Sequence, residues 1–108
     1  MSNITTVVQK AINAAKLAGE LSYQQVGERD CCGFAWVEVF VSRTNSKEAK
    51  ELIAAGFRKD YKPKCLTMWN PAGLHTQSMT PKEAGADVMA DILRTELGLK
   101  AYSNSRMD

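Results

Sequence analysis

The sequence is poor in the residues that usually make a function legible. Its 108 residues include one histidine, His75, and three cysteines, of which Cys31 and Cys32 are adjacent and Cys65 stands apart. An odd, unevenly spaced set cannot build the disulfide framework of a small secreted domain, and it agrees with a reducing compartment. No apolar run approaches the roughly 18 residues that a membrane span needs. The opening Met1–Lys10 has neither the basic nor the apolar region of a secretory signal, so a cytoplasmic protein without membrane contact is expected. Charge of one sign is also scarce: 14 Lys and Arg against 12 Asp and Glu leave +2, too little by itself to argue for nucleic acid. Glycine-rich phosphate loops, a nucleophilic-serine elbow and a His-Glu-x-x-His helix are all missing, and with them any reason to expect a cofactor.

What is present suffices for a fold. A chain of this length buries about two thirds of its unfolded surface, and 44% hydrophobic against 24% charged residues is a globular composition. One α+β domain spanning 1–108 is expected, with an N-terminal helical segment (1–28), an α/β core (30–103) and a tail (104–108). Ile4, Val7, Val8, Ala11, Ala14, Ala15, Ala18 and Leu21 recur at helical steps and predict a helix from about Thr5 to Gln24, with an alanine stripe that permits close packing. Gly33–Ser42 reads as a strand, with Ala35, Val37, Val39 and Val41 on one face and Phe34, Trp36, Glu38 and Phe40 on the other. Asn45, three residues before Glu48, predicts the cap of a helix over about 46–55 that Gly56 terminates. Cys65–Trp69 reads as a strand ended by the turn Asn70-Pro71-Ala72-Gly73, with a hairpin partner near His75–Ser78. Thr80-Pro81-Lys82-Glu83 predicts a helix capped by Thr80 and closed at Gly98-Leu99, and Ala101–Ser103 a last edge strand. The elements suggest a small mixed sheet of three to four strands, with about three helices mainly on one face.

Cys32–Val37, Phe57–Asp60, Trp69–Gly73, Gln77-Ser78, Lys82–Ala86 and Ala101–Asp108 together resemble small tailed-bacteriophage proteins of unknown function. The likeness covers about residues 30–108. It implies a phage origin and transfers no functional residues; phage accessory proteins of this size often act as inhibitors, sponges or adaptors on host machinery.

Three sets of residues carry candidate chemistry. The aromatic strand face of Phe34, Trp36, Glu38 and Phe40, extended by Trp69, marks an interface for a protein partner or a second copy if exposed, and ordinary core if a helix covers it. Glu38 on that face must reach water, meet a cation or titrate upward. The segment Arg58, Lys59, Tyr61, Lys62 and Lys64 pairs cations with an aromatic ring, the combination single-strand binders use, and Arg106 in the tail is a further anion ligand; the bland alternative is a solvated basic turn. Cys31, Cys32 or Cys65 with His75, or the carboxylates Asp30, Glu38 and Asp60, supply the pieces of a small enzyme or a zinc site, but no spacing brings them together. The expected function is therefore non-enzymatic binding of a protein partner through the aromatic face. Nucleic-acid or nucleotide binding through residues 58–64 is the alternative and a small cysteine or carboxylate enzyme the third reading, with no catalytic or metal-ligating residue assigned.

Overall fold

The structure, a computed structural model, describes residues 4–26, 33–73 and 79–107. Three helices, α1 (Ile4–Val26), α2 (Lys47–Ala54) and α3 (Met79–Leu97), accompany four strands, β1 (Gly33–Phe40), β2 (Arg58–Lys59), β3 (Cys65–Trp69) and β4 (Lys100–Met107). The sheet order is β2-β3-β1-β4. Every pairing is antiparallel, where a mixed sheet was expected. The α3 connection from β3 to β4 skips over β1, so the two strands it joins never pair with one another.

The valine face of β1 forms the core as its alternation predicts: Ala35, Val37, Val39 and Val41 are buried against Leu52 of α2 and Ala86, Met89, Ala90 and Leu93 of α3. Helix α1 lies along α3 through its small residues. The crossing is tight enough that a Cβ on Gly85 would stand 2.9 Å from the Ala15 carbonyl oxygen and 2.6 Å from the Ala72 Cβ. The Asn70–Gly73 turn forms as predicted, with the Gly73 amide donating to the Asn70 carbonyl at 2.9 Å. Gly98 ends α3 in the left-handed region (φ 65°), and its amide donates to the Arg94 carbonyl.

Several boundaries differ from expectation. Ser46, not Asn45, caps α2: its Oγ accepts from the Ala49 amide at 3.1 Å. Helix α3 begins at Met79, so Thr80 and Pro81 lie inside its first turn, where a proline is tolerated because first-turn amides have no intrahelical acceptor. Glu83 accepts from the Ser105 hydroxyl at 2.6 Å, which ties the first turn of α3 to β4. The partner of β3 at the sheet edge is Arg58–Lys59, which sequence reading treated as part of a turn; the hairpin strand expected near His75–Ser78 falls outside the described residues. The tail expected over 104–108 is strand through Met107, because the free edge of β1 offers backbone partners along its whole length, from Gly33↔Met107 to Phe40↔Lys100.

Candidate functional site

Among the described residues all three helices gather on the valine side, and the opposite face of the sheet is formed by strand and turn residues alone. Register decides its membership, since residues paired across antiparallel strands share a face. Phe34, Trp36, Glu38 and Phe40 of β1 stand beside Arg106, Asn104, Tyr102 and Lys100 of β4. Trp69, Thr67 and Cys65 of β3 lie opposite Trp36, Glu38 and Phe40, and Arg58 of β2 lies opposite Thr67. The covering helix that would have made the aromatic face ordinary core is therefore on the other side.

Trp36 and Trp69 stack as cross-strand neighbours, with ring centroids 5.1 Å apart and planes 11° from parallel, and Phe34 tilts against Trp69 at 5.5 Å. Trp69 is 56% exposed. At the far end of the face Phe40 meets Tyr102 at 6.1 Å. Phe34 is fixed from the helical side as well: the buried Lys82 ammonium donates to the Gly33 carbonyl at 2.9 Å and lies 5.2 Å from the Phe34 ring centroid.

Beside the tryptophans opens a concavity of about 400 Å³, lined by Trp36, Glu38, Asp60, Tyr61, Lys62, Thr67, Trp69, Asn104 and Arg106. It unites the two sets that sequence reading kept apart, the aromatic face and the basic segment. Glu38 is buried there and meets a cation: the Lys62 ammonium donates to its Oε2 at 2.6 Å, and the Trp36 indole N–H donates to the same oxygen at 3.3 Å. That bond to Glu38 raises the pKa of Lys62 above its ordinary value.

Of the predicted anion ligands, Arg58, Lys62 and Arg106 belong to this face, and Tyr61, 90% exposed, stands at its rim. Lys59 does not: it pairs with Leu66, on the covered side of the sheet. Lys64 serves the turn instead, adopting a left-handed backbone (φ 58°) while its carbonyl accepts from the Val41 amide at 2.9 Å. Thr67, Asn104, Tyr102 and Lys100 were missed. The last two of β4's open-face residues, Asn104 and Arg106, share parity with Tyr102, and that alternation was the available signal.

Charge divides with the layers. The three helices carry six cations and seven carboxylates, whereas residues 58–64 and β4 carry six cations and one carboxylate, Asp60. On the open face itself Arg58, Lys62, Lys100 and Arg106 stand with two carboxylates, Glu38 and Asp60.

Among the described residues one cluster brings possible metal-ligand atoms together. Glu38, Asp60 and Cys65 place one possible ligand atom each within 4.8 Å of one another, but the Lys62 ammonium already supplies the positive charge at Glu38. Burial, followed by Glu38 and Asp60, pushes the Cys65 thiol up to about 11, the reverse of what a nucleophile or a thiolate ligand needs. Asp30, Cys31, Cys32 and His75 fall outside the described residues. No helix among those described is long and apolar enough to cross a membrane. No family model matches the chain, and comparison with curated proteins and with solved structures finds no significant match.

Proposed function

We propose that this protein is a non-enzymatic binding module, acting in the cytoplasm of a phage-infected cell, whose open sheet face takes single-stranded nucleic acid. The observation that carries the reading is the coincidence on one face of a stacked tryptophan pair with the cations Arg58, Lys100 and Arg106, beside the Lys62–Glu38 ion pair. Bases of any sequence stack on an exposed aromatic ring, and the cations at the flanks meet the phosphates. A duplex would keep its bases paired and out of reach of the tryptophans, so a single strand is the form that uses both features.

The second reading, a protein partner or a second copy of this chain, is favoured by the exposure of Trp69 and of Tyr102 on the same face. A salt series separates the two. Tryptophan-fluorescence titration with a short single-stranded oligonucleotide should give an affinity that falls linearly with salt on logarithmic axes, by about 0.7 for each phosphate contact. Absence of any oligonucleotide binding at low salt, together with a sedimentation mass above that of the monomer, would replace this reading with the second.

A further inference from the structure

The polar groups around the tryptophan pair are specific in kind. Both bonds made by Glu38 use Oε2, so its other oxygen, Oε1, takes neither and retains acceptor capacity at the wall of the concavity. On β4, across β1 from Trp69, Asn104, the register partner of Trp36, has its Oδ1 engaged by the Ser105 amide at 2.9 Å, which leaves its Nδ2 amino group as a donor. Arg106, also lining the concavity, offers donors only. A base lying against the tryptophans thus meets both an acceptor and donors within one concavity.

We propose that the concavity is a guanine pocket: a guanine of the bound strand stacks on the Trp36–Trp69 pair, donates its N1–H and N2 amino group together to the free Oε1 of Glu38, and accepts at O6 and N7 from Asn104 or Arg106. This rests on the single-strand reading above and names the base it selects. Guanine is the base that presents two adjacent donors to a carboxylate while carrying two acceptors on its other edge. Adenine and cytosine bring one amino group beside an acceptor nitrogen, which would set a lone pair against the carboxylate, and thymine or uracil brings a single N–H between two carbonyls. The volume of about 400 Å³ lies within the range of small-ligand clefts.

The test compares affinities, by tryptophan quenching, of a thymidine oligonucleotide carrying one central dG, dA, dC or dI. The dG strand should bind about tenfold more tightly than the dA and dC strands, the discrimination expected of a good bidentate pair. The dI strand, which lacks only the N2 amino group, should fall between them, and needs no change to the protein. Glu38→Gln should bring all strands to the affinity of plain thymidine; Asn104→Ala, at an exposed position, serves if the Glu38 variant folds poorly, and should narrow the preference. The ribonucleotide version of the strand and free GMP as competitor distinguish RNA, DNA and mononucleotide as the source of the base. Equal binding of all four strands, or a guanine preference that survives Glu38→Gln, would overturn the guanine assignment while leaving single-strand binding in place. No binding of any strand would remove both.

Discussion

At the residue scale the tryptophans and the buried cysteine make separable predictions. Trp36 is half-buried and flanked by Trp69, so each ring supplies stacking surface that its neighbour cannot replace. Trp69→Ala is expected to weaken single-strand binding by about 1–3 kcal/mol with little loss of stability, because more than half of its surface is already in water. A titration curve unchanged by that substitution would place the ligand elsewhere. Cys65 predicts a pH effect instead. Its thiol, pushed up to about 11 chiefly by burial, stays protonated in the folded chain after the unfolded chain has lost its proton near the ordinary value of 9.0. The unfolded state then binds fewer protons, so stability must fall as pH rises through this window. Cys65→Ala should flatten that fall relative to the parent in denaturation midpoints measured from pH 8 to 10.5. Equal slopes would show that the thiol contributes nothing.

At the element scale the decisive pieces are the contact between α1 and α3 and the full length of β4. Replacing Gly85 by alanine improves helix propensity by about 1 kcal/mol, yet the new methyl group would meet a backbone carbonyl at 2.9 Å. Backbone cannot swing aside as a side-chain tip can, so Gly85→Ala should lower Tm despite the better propensity; a rise would mean that the helices shift apart at no cost. Strand β4 carries Asn104 and Arg106 to the tryptophans by pairing with β1 as far as Met107. Ending the chain after Ser103 should therefore destabilise the sheet and abolish oligonucleotide binding together, checked by thermal melting and the same titration. Elements with a strong period were legible in the sequence: the valine–aromatic alternation of β1, the span of β3 and the Gly98 closure of α3 all stand where residue pattern puts them. The two-residue β2 and the last residues of β4 were not, because their residues have little strand propensity of their own and are extended by the backbone groups of a neighbouring strand.

For the whole molecule, the separation of charge between layers is the property to test. Helices carrying slightly more carboxylates than cations lie behind a sheet whose free face collects Lys and Arg, so a polyanion should be drawn to one side despite a net charge of only +2. Arg58→Glu combined with Lys100→Glu, both on the free face, should abolish binding and remove its salt dependence. Reversing Lys10 and Lys16 on α1 changes net charge equally and should leave the affinity within about twofold, since those positions lie in the helical layer, behind the sheet from the strand's path, where salt screens them. Equal loss in both double variants would mean that net charge, not the face, governs association.

What the sequence determined by itself is the class of the fold and the composition of each face: period and propensity are local, so Val37 and Val39 had to lie on one side of a strand, and Trp36 and Glu38 on the other. Which side the helices would choose was not local. The apolar valine stripe offers helices α2 and α3 a surface that buries fully, whereas the aromatic side holds a carboxylate and, through β4, arginine and lysine that resist burial. Only tertiary pairing set Asn104 and Arg106 against Trp36 and Phe34, and only the turn between β2 and β3 brought Lys62 onto Glu38 from 24 residues away. Contacts between residues so distant in sequence are settled by how the chain closes its loops and satisfies its backbone, which residue periodicity does not encode.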